Sequence, residues 1–523
     1  MASSFSNTVS FLLYTVVVVV LRVPQSIGAV PLPFHPRDVL PLLPNRVARP
    51  VLNSLSSAVD LLPKFVGAAM SDPQKPLTWS GSCFRKNSAW LDLRSDGGTL
   101  HIEVGDAVSL TCIDLYVFAT PDRATGDYYF RSKEHTFEFK LWEDEAEYEY
   151  VKEKGISIFL MEAGLLGTLE ACFEAVPLFM NDEEGEKANL RFLEKNMKAS
   201  FTERPPAAWI SDVDADDINS GDFLALSKIR GSSGAFETLE KWVTGAFAGH
   251  VAAFIRDPQG KLWVAESGRE SDQGEVIALT AWEEWWEIEK KKDKANPHIA
   301  LLRLSSEMRA KFNNTAAWEF VSKMNGKTYG YHNLIFSWID TSTANYPPPL
   351  DANLIAAAMT VWNKLKPQSA TNLWNEALNL RLGTQGLDFP QILEEVQQRG
   401  SSFDKLLAIP EQDNWIYDNG KSVTCVAFAV SMYKEAGLFG PLAPTVQATE
   451  FTVKDGYTLK FYEDELSKLP KWCNEGDSVK MPYCQILGKY RMELPEYNTI
   501  DPYKHMNENC PSLPPDYARP NDC

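Results

Sequence analysis

The sequence predicts an α+β protein, in which a β-rich domain precedes a mixed domain that carries a helical insertion. Three observations predict it. Residues 77–178 alternate apolar and polar side chains at the period of half-buried strands, as in Thr99-Leu100-His101-Ile102-Glu103-Val104 and Phe137-Glu138-Phe139-Lys140-Leu141-Trp142. Residues 206–340 mix strand and helix periods. An insertion over 347–410 opens on Pro347-Pro348-Pro349 and then reads as two or three helices, as in Leu354-Ile355-Ala356-Ala357-Ala358-Met359.

Taken in order, residues 11–21 form an eleven-residue apolar run followed by the small residues Gly28 and Ala29. This predicts a cleavable secretory signal over 1–29. A membrane anchor is the alternative, but a span needs about 20 apolar residues, and Arg22 and Pro24 stop this run early. No other stretch is long enough to cross a bilayer, so no stable membrane span is expected. Residues 30–76 carry prolines at Pro31, Pro33, Pro41, Pro44 and Pro50 and read as a linker or pro-segment, with one amphipathic helix near 51–67. The β-rich domain and its charged bridge span 77–205, with turns expected at Asp96-Gly97-Gly98 and Gly126-Asp127. The mixed domain spans 206–440, and a Cys- and Pro-rich extension occupies 441–523.

A chain of 523 residues holds two or three domains. Its net charge of −19, from 70 acidic against 51 basic residues, repels phosphate backbones and excludes nucleic acid as an expected partner. Secretion would permit disulfides. Cys473, Cys484, Cys510 and Cys523 crowd the tail and suggest two bridges, with three pairings open. Cys83 and Cys112 form a further candidate pair, and Cys425 is either a free thiol or the partner of Cys172. Asn313-Asn314-Thr315 is a glycosylation sequon with Asn313 as its acceptor. The histidines show no metal-ligand spacing. Asp212, Asp214, Asp216 and Asp217 imitate the start of a calcium loop, but its Gly and terminal Glu are misplaced, which leaves a solvated turn. No cofactor is expected.

The residues with chemistry are His250, on the apolar run Gly249-His250-Val251-Ala252-Ala253-Phe254-Ile255, Glu266 in Trp263-Val264-Ala265-Glu266-Ser267, and Cys425, which opens Thr424-Cys425-Val426-Ala427-Phe428-Ala429-Val430. An imidazole, a carboxylate and a thiol are the parts of a nucleophilic cysteine site. Each alone is more often packing. Together they are geometrically compatible, because Asp257-Pro258-Gln259-Gly260-Lys261 fits a type I turn with a left-handed bulge at Gly260. That turn sets Phe254 opposite Val264 and Ala252 opposite Glu266, so His250 and Glu266 become diagonal neighbours on one face. Without the bulge they would face opposite ways.

Cys425 should begin a helix capped by Ser422 or Thr424 and closed by Gly437. A helix N-terminus favours a thiolate and presents the Cys425 N–H to an oxyanion. Tyr329, Tyr417 and His332 are candidates for the second oxyanion or substrate donor. The run Ala281-Trp282-Glu283-Glu284-Trp285-Trp286-Glu287-Ile288 reads as an amphipathic helix whose tryptophans either pack in a core or stack on a sugar or lipid.

The order His250, Glu266, Cys425 resembles that of the permuted NlpC/P60 superfamily, the permuted papain-like amidases that include lecithin–retinol acyltransferase-like enzymes. Three stretches carry the resemblance: Ser220-Gly221-Asp222-Phe223-Leu224-Ala225-Leu226, the Gly-His strand with its Glu strand, and the Cys425 helix through Gly437. Gly326-Lys327-Thr328-Tyr329 is similar as well, and the resemblance covers roughly 215–440. It implies a circularly permuted papain-like domain in a secreted eukaryotic member, extracellular or vacuolar/lysosomal. It implies a cysteine hydrolase that cleaves an amide or ester, in a peptide, cell-wall peptide or lipid amide, through a thioester. A thioester acyltransferase and a non-catalytic glycan- or lipid-binding protein on the same scaffold are the alternatives.

Overall fold

The computed structural model describes residues 63–506, apart from 109–113, 130–132, 162–175, 272–273, 292–294, 340–350, 419 and 505. The expected signal over 1–29, most of the 30–76 linker, and Cys112, Cys172, Cys510 and Cys523 with their expected pairings lie outside the described residues. Among the described residues the protein is mixed α+β, its sheets built from antiparallel pairs.

The N-terminal domain is a sandwich of two four-stranded sheets. One has the order β1 (Pro63–Ala69), β8 (Ile156–Met161), β5 (Asp114–Ala119), β6 (Ala124–Tyr129). The other has the order β2 (Leu77–Trp79), β3 (Phe84–Arg94), β4 (Gly97–Ala107), β7 (Lys133–Phe139). Leu91, Leu100 and Ile102 from the second sheet meet Phe118, Ile158 and Leu160 from the first in one buried core. The β3–β4 hairpin closes beside Gly97, with Arg94 opposite Gly97, where a turn is expected.

Two local expectations are corrected. Residues 63–69 are not the end of a helix but strand β1, because pairing with β8 from Pro63 opposite Met161 to Ala69 opposite Ile156 satisfies their backbone. Gly126-Asp127 is not a turn but lies within β6. The turn falls earlier, where the Thr120 N–H donates to Arg123 O at 2.9 Å around Pro121, a residue suited to the first corner. The charged bridge contains a helix, Glu183–Met197, capped by the Asp182 carboxylate.

The second domain is built on a six-stranded sheet of order β12-β11-β10-β9-β13-β14. Its strands are β9 (Phe223–Ser227), β10 (His250–Arg256), β11 (Leu262–Ser271), β12 (Gly274–Ala281), β13 (His298–Leu302) and β14 (Cys484–Leu487). Strand alternation sorts its side chains into two cores. Val251, Ala253, Ile255 and Ala265 pack with the helix Cys425–Glu435. Ala252, Phe254, Leu262 and Val264 pack with Trp282 and Trp285. The tryptophan helix Trp282–Lys290 is therefore a packed helix: Trp285 is fully buried and Trp282 nearly so, which removes the stacking-face reading for these two rings.

The Gly-Asp stretch opens β9 for structural reasons. The buried Asp222 carboxylate accepts from the Asn219 and Leu304 N–H groups, both at 2.9 Å.

The helical block spans Ala352–Leu407 and has its own core, in which Trp362, Trp374, Phe389 and Ile392 join Phe336 and Tyr417 from outside it. The boundary expected at 440 is corrected as well. Val446, Phe451, Tyr457 and Phe461 enter the same core as the Cys425 helix, and β14 pairs with β13, so 441–506 completes the domain rather than extending it. Cys473 and Cys484 form a disulfide, and Cys83 is disulfide-bonded. Among the described residues, no helix is long and apolar enough to cross a membrane.

Candidate functional site

The hairpin has the register that its turn chemistry dictates. The Asp257 N–H donates to Lys261 O at 3.0 Å, the Gly260 N–H donates to Asp257 O at 2.9 Å, and Gly260 takes φ +85°. Ala253 then opposes Ala265, and Phe254 opposes Val264. His250 and Glu266 become diagonal neighbours, and His250 Nε2 lies 3.0 Å from Glu266 Oε2.

Cys425 is the first residue of its helix. Thr424 is the cap, and its hydroxyl accepts from the Ala427 N–H at 3.3 Å. Gly437 follows the helix at φ +85°, with the Leu438 N–H returning to Tyr433 O at 3.0 Å. The loop before the thiol is tied to the Glu266 strand: the Ser267 hydroxyl donates to Val423 O at 2.7 Å, and the Gly330 N–H donates to the same carbonyl at 3.1 Å. These bonds bring Cys425 to the end of the sheet where His250 opens β10. Cys425 is a buried free thiol, which removes the pairing with Cys172, and it lies close enough to His250 to raise the pKa of the ring. With Nε2 committed to Glu266, Nδ1 is the ring nitrogen left for the sulfur.

The electrostatics follow from this packing. Burial works against a charged His250, but the charge of Cys425 and then Glu266 outweigh it and raise the imidazole pKa to about 10. A folded value above the ordinary one means that this charge stabilises the fold below about pH 6.5 and that its contribution fades as pH rises towards 10.

Glu266 is itself held. Its Oε1 accepts from the Trp285 indole N–H at 3.0 Å and lies 3.4 Å from Arg269 Nη1. Sequence patterning reads Trp285 as a packing or ligand-stacking residue, whereas the structure makes it the group that positions Glu266. A hydrogen bond to a charged group contributes about 1.5–3 kcal/mol, so Trp285→Phe should lower the melting temperature and loosen the His250–Glu266 pair. In an NMR titration of labelled histidine, His250 of the wild type should titrate near pH 10. Glu266→Gln, which removes a carboxylate that raises this pKa, should move the titration to lower pH. An unchanged midpoint in Glu266→Gln would show that the carboxylate does not act on the ring.

Two further residues join the site. Gly268, at φ +112°, lies at a β-bulge between Ser267 and Arg269. A Cβ built on it would come within 3.3 Å of His250 Cε1 and 3.4 Å of Tyr329 Cε2, so both rings pack against its bare backbone. Glu240, on the helix Gly231–Thr244, is buried. Burial first, and then the charge of Cys425 and of Glu237, push its carboxyl well above the usual range, with His250 and Lys241 opposing. Burial thus favours the neutral form of this carboxyl beside the reacting pair. The only sequence signal for it is the polar cluster Glu237-Thr238-Leu239-Glu240 in a helix that otherwise packs.

The three oxyanion candidates separate. Tyr329 is nearly buried beside Cys425 and His250, and burial together with the charge of Cys425 keeps its hydroxyl protonated. Tyr417 and His332 do not converge with it. The Tyr417 hydroxyl hydrogen-bonds buried Glu411, which Arg381 pairs at 2.9 Å. The His332 ring packs on Tyr417 with centroids 3.4 Å apart and contacts Ser422 Oγ at 3.4 Å, while burial and then Arg381 lower its pKa to about 3. Both belong to the polar core that joins the helical block to the loop before Cys425. Asn313 is exposed and caps the helix Asn314–Met324, accepting from the Ala316 N–H at 3.2 Å. Asp214, from the calcium-like run, caps a single turn at Ala215–Asp217.

Comparison of the chain with family models, with curated proteins and with solved structures finds no match.

Proposed function

We propose that this chain is a secreted cysteine hydrolase on a permuted papain-like domain of the NlpC/P60 type. One observation carries the reading. A buried free thiol at a helix N-terminus lies beside an imidazole whose Nε2 is 3.0 Å from a carboxylate, in the chain order His250, Glu266, Cys425. The antiparallel sheet covered by the Cys425 helix supports the same reading, and the Cys473–Cys484 disulfide supports the secretory pathway.

In this reading the Cys425 sulfur attacks the carbonyl carbon of an amide or ester, in a peptide, cell-wall peptide or lipid amide. His250 already carries the proton taken from the thiol before attack and gives it to the leaving amine or alcohol as the carbon–heteroatom bond breaks. Glu266 holds the ring in line and stabilises its charge. The Cys425 N–H and the Tyr329 hydroxyl are the donors to the oxyanion. Water, deprotonated by His250, then cleaves the thioester and restores the thiol. These steps use the protein's own side chains and water.

The test is trapping. The full-length protein is mixed with a panel of peptide, muropeptide and N-acyl lipid amides and their esters, quenched in acid and analysed by mass spectrometry. The expected result is an acyl adduct on Cys425 that hydroxylamine removes, with free acid as the product. Transfer of the acyl group to an added alcohol in place of water would make the protein an acyltransferase. No adduct and no turnover with any member of the panel would count against the chemistry.

A further inference from the structure

We propose that the helical insertion positions the nucleophile, with Arg381 as the residue through which it acts; the proposal rests on the reading of Cys425 as a nucleophile. The chain leaves the domain along the helix Tyr331–Ile339, forms the helical block, and returns as residues 408–424, which end on the thiol. A returning segment of that length holds a reacting atom in place only where side chains fix it, because every ordered residue costs backbone entropy. Arg381 supplies the first fixed point. It lies on the helix Glu376–Leu382 inside the block and is 1% exposed. Its Nε donates to Ile409 O and its Nη1 to Glu411 Oε2, both at 2.9 Å, and its guanidinium carbon lies 3.8 Å from the Phe336 ring centroid. One fork therefore joins the block to the returning segment and to the outgoing helix.

Glu411 passes the constraint on. It is fully buried, and Arg381 takes only one of its oxygens. The other accepts from Asn333 Nδ2 at 2.9 Å and from the Tyr417 hydroxyl, while the Glu411 N–H donates to the Glu450 carboxylate. The Tyr417 ring packs on His332, whose Nε2 lies 3.4 Å from Ser422 Oγ. His332 and Asn333 follow Gly330, whose N–H holds Val423 O. Asp413 ties the same segment to the helix of the thiol through Lys434, at 2.5 Å. Fixed points thus run from Glu411 to Val423, and the cap Thr424 and Cys425 follow.

Magnitudes decide what the Arg381–Glu411 pair is for. A buried ion pair adds little net stability, because the cost of desolvating both charges offsets their attraction. Apolar side chains of equal volume would pack as well against Phe336 and Trp415, the rings on which the guanidinium lies. What apolar side chains lack is direction. A guanidinium presents its donors in a rigid plane, so it sets where Glu411 stands, and with it Tyr417 and the segment that delivers the sulfur to His250. A misplacement of about 1 Å at a reacting group can cost about 10²-fold in rate. The pair is therefore suited to fixing position more than to adding stability.

The test uses the full chain with Arg381→Met and Glu411→Gln combined, which removes both charges and leaves an acceptor for Asn333 and Tyr417. A second variant, Tyr417→Phe, keeps the ring on His332 and removes only the hydroxyl. The bonds of these three side chains go to neither His250 nor Cys425. Circular dichroism and cooperative melting show that a variant folds, and if the double variant does not, Tyr417→Phe decides. In each folded variant, iodoacetamide labelling of native Cys425 should slow by about tenfold or more. The His250 titration, which Cys425 and Glu266 hold near pH 10 against burial, should move to lower pH. A purely structural role would change the melting temperature and neither of these. A wild-type labelling rate or a wild-type His250 midpoint in a folded variant would overturn the proposal. A wild type whose Cys425 labels no faster than denatured thiols would sink the hydrolase reading instead, and the His250 midpoint would then decide the proposal alone.

Discussion

Cys425→Ala should abolish hydrolysis of every amide or ester that the wild type cleaves, and His250→Ala should reduce it by about 10²–10⁴-fold, the usual contribution of a positioned acid–base group. The two losses have different origins. Without the sulfur no thioester forms. Without the imidazole the thiol still sits at a helix N-terminus, whose dipole favours a thiolate, so residual turnover should survive. The fold should tolerate both changes. Cys425 is a small side chain among Val423, Val426 and Ala427, where alanine removes one sulfur atom, and His250 sits at the end of a strand rather than in its middle. Melting temperatures check the fold, and kcat/KM checks the chemistry. Full activity in Cys425→Ala would assign the hydrolysis to another group.

Gly268→Ala should be the most damaging substitution that touches no reacting atom. At φ +112° a side chain is strained whatever the space around it, and the added methyl would press on the His250 and Tyr329 rings. Residues held in such backbone regions cost about 1–3 kcal/mol, and a misplacement of about 1 Å at a reacting group can cost about 10²-fold in rate. Gly274→Ala separates the two effects. Gly274 has φ +109° with nothing within 4 Å of an added Cβ, so the backbone strain is alike and the crowding is missing. Both variants should lose stability, and only Gly268→Ala should lose activity on this scale. Equal activity losses in the two would mean that the rings at Gly268 are not held by contact with it.

What was legible in the sequence was local. Pro258 and Gly260 specify a bulged turn within five residues, and that turn alone decides that His250 and Glu266 share a face. Thr424 and Gly437 bracket the Cys425 helix by the same kind of short-range chemistry. What was not legible depends on distant pairing. Strand β1 needs β8 about 90 residues away before its helical pattern gives way, and β14 reaches β13 across the whole helical block. Trp285 looks like any core tryptophan until the helix docks and its N–H meets Glu266. Tyr329, Tyr417 and His332 are equivalent in sequence, as aromatic or imidazole groups in the stretches that flank the insertion. Only the contact of Tyr417 with Glu411 and of His332 with Tyr417 removes two of them from the thiol. Glu240 carries a polar side chain on a buried helix face, and one sequence cannot say which buried carboxyl faces a sulfur.

The central claim is that Cys425 is a nucleophile activated by His250, and it can be tested without knowing the substrate. The measurement is the second-order rate of iodoacetamide labelling of Cys425 in the native protein near neutral pH, followed by peptide mass spectrometry, in the wild type and in His250→Ala. The account predicts that native Cys425 labels faster than cysteines of the reduced, denatured chain, and that His250→Ala slows it markedly without stopping it. Labelling of native Cys425 no faster than the denatured thiols, and unchanged by His250→Ala, would contradict the account.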